Sequence, residues 1–366
     1  MRLNQSTDRM RAVRVRTPGQ PPVVESVATP RPGPDEVLVR VRACGICGSD
    51  LHVLDGDVAV PRLPLTLGHE AAGEVAEVGA GVERFVEGDR VLINPIIGCD
   101  ACDACADGSW HRCDDHVVLG VGVDGAQADY VVVPGRNLVP VPPSLDFAQA
   151  AVLADAVAGP FRALRRSGLR AGGSVAIFGL GGLGLHAVII ARQLYGARVV
   201  GVDIDPVARE RALAFGASAV FDGLDPRVAT RIRAEHGPVD ASLEFVGAVP
   251  VVEQALRSLR RGGTAVVMGV GPGRLELAQR LEPFVVQEWS LVGSYGYGRD
   301  DLVALVDHVQ RGDLTIEGTV SATLPLADAA EGYDLLASRR GSPTRVVLLS
   351  DPDLHTPEPV DPDEES

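Results

Sequence analysis

The stretch "SVAIFGLGGLGLHAVIIARQLYGARVVGVDID", residues 174–205, decides the fold. An apolar run leads into Gly179, Gly181 and Gly184 in G-x-G-x-x-G spacing, a helical period follows, and a second apolar run ends in Asp203. In that setting Gly179 serves a tight turn, Gly181 lets the backbone approach a pyrophosphate, and Gly184 lets the helix pack closely on the strand. Leu180, Gly182 and Leu183 fill out the same cradle. A diphosphate there sits at a helix N-terminus, where free N–H groups and the helix dipole favour an anion. Asp203, about twenty residues on, is placed to accept hydrogen bonds from both hydroxyls of an adenosine ribose. Its carboxylate repels a 2′-phosphate, and Ile204 and Asp205 bring no cation beside it. NAD(H) is therefore favoured over NADP(H), with Arg209 further along weakening that preference slightly.

Outward from this unit, strand and helix patterns alternate: "PVARERALAFG", "SAVFDG", "VDASLEFVG", "PVVEQALRSLRRG" and "GTAVVMGV". Such alternation predicts a doubly wound parallel sheet covered by helices on both faces. Residues before about 155 are instead rich in short strands punctuated by Gly, Pro and Asp clusters, which predicts a compact, β-rich domain. After about residue 297 a helix, "DDLVALVDHVQRG", and a last strand, "TRVVLLS", are expected to return to the first domain. The division expected is a polar extension at 1–10, a first domain at 11–156, a nucleotide-binding domain at 157–296, a return segment at 297–350, and an acidic, Pro-rich, disordered tail at 351–366.

The 366 residues suffice for two cores, and 46% hydrophobic with 23% charged residues is ordinary for a globular protein. A formal charge of −15 argues against a nucleic-acid partner and against anionic membrane surfaces. No apolar run reaches membrane-spanning length. The start, "MRLNQSTDRM", lacks the apolar core of a secretory signal, so a cytoplasmic setting is expected, and with it reduced cysteines.

Four of the six cysteines fall within "GCDACDACADGSWHRC", residues 98–113. Cys99, Cys102, Cys105 and Cys113 form C-x2-C-x2-C-x7-C, a set that closes a tetrahedral zinc shell with no open position. Such a zinc is structural. A catalytic metal needs ligands elsewhere, and "CGICGSDLH" with "GHEAAGEVAEVGAGV" offers Cys44, Cys47, Asp50, His52, His69 and Glu70. Spacing alone leaves open whether these bind metal or are buried cysteines and a hydrogen-bonded core histidine.

Together these motifs resemble those of the zinc-containing medium-chain alcohol and polyol dehydrogenases, over about residues 11 to 350. Gly68, His69, Glu70, Gly73, Gly79 and Val82 fit that family's zinc signature, and the other motifs follow in its order. The resemblance implies a GroES-like catalytic domain, including the lobe at 98–113, built from both chain ends around a Rossmann domain. It implies two zinc ions per chain, the catalytic one held by Cys47, His69 and Asp155, with Glu70 a direct ligand in some members and a neighbour in others. Cys44 matches no ligand position. Asp155 stands where many members have Cys, as in bacterial secondary-alcohol dehydrogenases. Asp50 resembles the carboxylate that orients the histidine ligand, Ser49 the hydroxyl that takes the alcohol's proton, and His52 the imidazole that passes it to solvent. Val246 and Val270 join the expected cofactor contacts.

The implied reaction is hydride transfer between NAD(H) and an alcohol, or its ketone or aldehyde. Asn94, Pro95 and "SYGYGRDD" are expected near the pocket, and the scarcity of large aromatics there suits a secondary or cyclic alcohol. A zinc-independent reductase is disfavoured by the presence of Cys47, His69 and Asp155. A biosynthetic member whose net reaction is not simple redox, such as reduction with cyclisation, stays open. A redox sensor has no need of a proton relay. Family members are dimers or tetramers.

Overall fold

The computed structural model describes residues 9–271, 274–276 and 280–350. Most of the expected polar extension and the whole acidic tail at 351–366 lie outside the described residues.

Every residue of the strand Ser174–Phe178 is buried, as befits a strand covered by helices on both faces. It lies inside a six-stranded sheet ordered Ala219–Asp222, Arg198–Asp203, Ser174–Phe178, Val239–Glu244, Leu259–Val267, Ser290–Gly293. All five pairings are parallel. The chain winds outward from Ser174–Phe178 on one side and resumes at Val239–Glu244 on the other. That reversal opens a crevice at the carboxyl ends of the two central strands, where doubly wound sheets bind ligands. The glycine turn sits there. Gly179 has φ +87°, a conformation that L side chains avoid. A Cβ on Gly184 would stand 1.7 Å from the Gly179 carbonyl oxygen, so only glycine lets the helix Gly182–Tyr195 start this close to its strand.

The other domain is mostly antiparallel. Its seven-stranded sheet runs Leu138–Pro140, Arg90–Ile93, Glu70–Val78, Glu36–Ile46, Val346–Leu349, Ala322–Pro325, with Tyr130–Pro134 also paired to Glu36–Ile46. The last two strands come from the C-terminal segment, and Val346–Leu349 pairs antiparallel with Ala43–Ile46. The β-rich domain is thus closed by the end of the chain. Tyr130–Pro134 alternates half-buried and buried residues, the period-2 signature of a strand with one face on a core.

Two helical segments, Phe147–Val152 and Ala158–Arg166, carry the chain from one domain to the other. Their apolar faces share one buried cluster with Leu92, Leu185, Leu302 and Val347, so the two domains meet over a common core. None of the described helices is long and apolar enough to cross a membrane.

Candidate active site

Cys47 ends the long strand Glu36–Ile46 and caps the helix Gly48–Asp55. Asp50 turns back in the first helical turn and accepts the Cys47 backbone N–H at 2.9 Å. This satisfies a helix-end donor and places an acid where the helix dipole favours one. The other Asp50 oxygen faces Nδ1 of His69 at 3.3 Å. One buried carboxylate therefore positions both Cys47 and His69. Cys44 lies behind them with its Sγ against Gly68, and burial, reinforced by Asp50 and Glu70, pushes its thiol well up.

Asp155 comes from a π-helical turn, Leu153–Val157, between the two connecting helices. Such turns insert a residue and swing side chains off the regular helical face. Groups of the turn find partners outside it. Tyr297 donates its hydroxyl to the Ala154 carbonyl, and Glu70 Oε1 accepts the Ala156 N–H at 3.1 Å. Tyr297 also reaches Asp155 Oδ1 at 3.3 Å.

Cys47, His69 and Asp155 thereby converge, with one ligand atom of each within 4.8 Å of the others. Asp155 Oδ2 is 3.6 Å from Cys47 Sγ and 3.7 Å from His69 Nε2. Ligands held at about 2.0–2.3 Å around a tetrahedral zinc stand roughly 3.3–3.8 Å apart, so the donors and their spacing fit that ion. Glu70 lies outside this trio, fully buried, with Oε2 unpartnered.

Arg345, just before the returning C-terminal strand Val346–Leu349, went unrecognised in the sequence. It is 3% exposed, with Nε 3.5 Å from Glu70 Oε1 and a terminal nitrogen 3.9 Å from Asp155 Oδ2. Burial pushes the Cys47 thiol up, but Arg345 and His69 outweigh burial and the opposing Asp155, and the thiol lies below its ordinary value. Burial, with the Asp155 and Cys47 charges, holds the Glu70 carboxyl well above the usual range despite Arg345. The only sequence signal for Arg345 was a charge at the mouth of an apolar run, "TRVVLLS". Tyr297 belongs to the "SYGYGRDD" stretch expected near the pocket.

Ser49 is exposed, with Oγ 3.7 Å from Cys47 Sγ. His52 is exposed too, and its Nδ1 pairs with Asp57 Oδ2 at 3.0 Å. No hydrogen bond joins Ser49 to His52 among the described residues. Asn94 is buried and its Oδ1 accepts the Ile96 N–H at 3.0 Å, which shapes the chain leading to the cysteine lobe and Pro95.

In that lobe the four thiols of Cys99, Cys102, Cys105 and Cys113 also lie within 4.8 Å of one another, and Cys99 and Cys105 are 4.0 Å apart. The Ala101 N–H, with the neighbouring thiols, pulls Cys99 down to about 7. Four convergent sulfurs and no disulfide are a donor set suited to zinc.

At the nucleotide turn a Cβ on Gly181 would meet nothing within 4 Å, leaving the open approach that a pyrophosphate needs. Asp203 Oδ2 accepts the Leu180 N–H at 2.6 Å and Oδ1 the Asp205 N–H at 2.8 Å. The carboxylate is thereby fixed at the strand end. Arg209 donates to the carbonyls of Asp203 and Ile204 and lies 3.5 Å from Asp222, so a guanidinium stands closer to this acid than its sequence separation suggested. Gly182 lies against Arg345, while Leu183 is half-buried beside Gly159. Val246 borders Gly179, and Val246 and Val270 are both exposed.

Residues 33–143 match the family of alcohol dehydrogenase GroES-like domains, and residues 182–311 match the zinc-binding dehydrogenase family. An alcohol dehydrogenase of Geobacillus stearothermophilus is 34% identical over 344 residues, covering 93% of this chain and all of the relative. A sorbitol dehydrogenase of Bacillus subtilis is 34% identical over 283 residues, 75% of this chain and 79% of the relative. Among solved structures, a zinc-binding dehydrogenase of Sinorhizobium meliloti bound to NADP superposes with a TM-score of 0.84 at 31% identity, covering 93% of this chain and 99% of that one.

Proposed function

The chain belongs to the zinc-containing medium-chain dehydrogenase/reductase family, and from that premise we propose that it is a zinc-dependent dehydrogenase transferring hydride between NAD(H) and a secondary or cyclic alcohol. The observation that carries this reading is the convergence of Cys47, His69 and Asp155, with Asp155 Oδ2 at a zinc-tetrahedron edge length from each of the other two donors. Zinc bound there supplies Lewis acidity that lowers the pKa of the substrate hydroxyl.

The protein's own groups account for the rest of the reaction. NAD+ bound at the glycine turn would supply the hydride acceptor, C4 of its nicotinamide, as the carbinol C–H bond breaks and the O–H electron pair forms the C=O bond. Ser49 would take the O–H proton, and His52, which Asp57 holds at the protein surface, would pass it to solvent. Asp50 sets the tautomer of His69, and Arg345 offsets the negative charge gathered by Cys47, Asp155 and Glu70. Glu70 stands behind the trio with a free oxygen, a reserve ligand rather than a permanent one. A second zinc in the cysteine lobe is structural.

The fixed Asp203 carboxylate supports NAD(H) as the cofactor. A small-molecule alcohol or carbonyl compound is the partner, and six free thiols accord with a cytoplasmic setting. Among the described residues Ser290–Gly293 has no partner on its outer edge, and the helix before it exposes Leu281, Val285 and Val286, which supports a dimer or tetramer.

Elemental analysis with a turnover assay tests the proposal. Two zincs per chain are expected, one removable by chelator, and NADH formation from secondary alcohols should vanish and return with that zinc. A single tight zinc, with turnover indifferent to added metal, would sink it.

A further inference from the structure

Where the last two parallel strands end, a cavity of about 390 Å³ takes in Val270, expected beside the cofactor, and is otherwise walled by residues the reaction above does not use. His111 and Arg112 enter from the cysteine lobe, Arg162 and Arg166 from one face of the helix Ala158–Arg166, and Ser294 and Tyr295 from beyond Ser290–Gly293. No carboxylate among the described residues lines it, in a protein whose net charge is −15. Among the described residues Asp301 is the one acid paired with an arginine of this wall, Arg162 at 3.2 Å, and it is shared with Arg165, outside the wall, at 2.6 Å. Arg112 and Arg166 have no ion pair among the described residues.

The buried polar atoms of this wall are also unspent. His111 is 6% exposed, and burial with the Arg162 and Arg112 charges lowers its pKa to about 4, so its ring is neutral and lies against the Tyr297 backbone. The Ser294 hydroxyl and Arg162 Nε are buried and unpartnered among the described residues. Burial lowers the Arg162 pKa, and although Asp301 opposes this, Arg112 and Arg166 add to it by repulsion. Buried polar groups are ordinarily bonded, and a set of donors without partners around mutually repelling cations is a site arranged for an anion.

Its place next to the chemistry follows from Tyr295 and the helix. Tyr295 lines the cavity while lying within the fields of Asp155 and His69. Arg162 and Arg166 follow Asp155 by seven and eleven residues, so they are rooted roughly 10 and 16 Å further along the helix. We propose that this cavity holds the oxyanion of an acidic substrate, a carboxylate or phosphate monoester several bonds removed from the carbinol oxidised at Cys47, His69 and Asp155. The inference rests on the dehydrogenase reading for the carbinol end, and on the cavity alone for the acid. Arg112 and Arg166 are the guanidiniums of this wall with no ion pair among the described residues, and the Ser294 hydroxyl donates to the oxyanion.

Two measurements decide it, both on the zinc-loaded full chain and on an Arg112→Gln/Arg166→Gln variant. In the first, calorimetric titration with glutarate and with inorganic phosphate should show binding that weakens at least tenfold in the variant. The tighter of the two probes tells carboxylate from phosphate. In the second, kcat/KM is compared for 6-hydroxyheptanoate, its methyl ester and 6-hydroxyheptyl phosphate with NAD+. At least one charged alcohol should exceed the ester tenfold or more, with that ratio falling towards one in the variant and, in the wild type, with rising salt. Because the ratio is taken within each protein, a general loss of activity cancels. Failure to bind either anion, or equal binding by both proteins, overturns the inference, as does a charged-to-neutral ratio near one in the wild type. Altered subunit assembly in the variant with unchanged anion binding also overturns it, and assigns the arginines to a subunit contact. If none of the three alcohols is oxidised, the dehydrogenase reading is what fails, and the titration still decides the anion site.

Discussion

Asp155, Arg345 and Asp203 are the positions where single side chains carry most of the argument. If Asp155 is the proposed zinc ligand, Asp155→Ala should remove one of two proposed zincs per chain by elemental analysis and lower kcat/KM by at least about a hundredfold. Asp50→Asn keeps the volume but removes the charge facing His69, and zinc affinity measured by chelator competition should drop about 10–100-fold. At the cofactor, Asp203→Gly should raise KM for NAD+ at least tenfold, the loss expected for charged hydrogen bonds of about 1.5–3 kcal/mol. It should also relax discrimination against NADP+, because Arg209 is already at hand. An unchanged cofactor preference would falsify the ribose assignment. The glycine turn and Asp203 were legible because the chemistry lies within one βαβ unit. Arg345 was not, because a lone arginine before an apolar strand looks like any surface charge until its strand is paired.

At the scale of elements, the π turn Leu153–Val157 does what a regular helix here would not: it presents Asp155 to Cys47 and His69 while Tyr297 and Glu70 take up backbone groups of the turn. No periodicity in "AVLADAVAGP" announces it, since the groups that stabilise it come from remote segments. The cysteine lobe is the opposite case. Its ligands lie within fifteen residues, so spacing alone proposes the shell. Cys102→Ser should therefore lower the melting temperature and the zinc content more than the hydride step, read by calorimetry and by a deuterium isotope effect on turnover. In the Rossmann sheet, Asp240 accepts hydrogen bonds from the Ser174 N–H and hydroxyl, and pairs with Arg260, which joins two strand starts. Burial alone raises its pKa, but Ser174 and Arg260 outweigh burial and the net shift is downward. A depressed carboxylate contributes stability above its unfolded pKa of about 4 and loses it as pH falls through the folded value. Asp240→Asn should thus cost about 1 kcal/mol in urea unfolding at pH 7, with the gap to wild type narrowing below about pH 4.

On the scale of the whole molecule, the candidate metal site joins residues 47–70 to the connecting turn around Asp155, with the counter-charge of Arg345 brought in just before the returning strand. A shared buried cluster spans both domains, so the cleft between them belongs to one packed unit. The exposed apolar residues beside the sheet edge Ser290–Gly293 belong to this scale as well. A Val285→Asp/Val286→Asp variant should shift the sedimentation coefficient towards that of a single chain, whereas an unchanged value would remove this edge from the subunit contact. By itself the sequence determined whatever short-range spacing encodes: the glycine turn with its acid, the four-thiol lobe, the βαβ alternation and the family resemblance that singled out Cys47, His69 and Asp155. Tertiary structure alone decided the partners of that trio, the counter-charge from Arg345, the turn that aims Asp155 and the arginine-walled cavity. The physical reason is range. A turn or a metal loop is specified by neighbours along the chain, whereas charge balance and cavity shape depend on which distant segments share a buried volume.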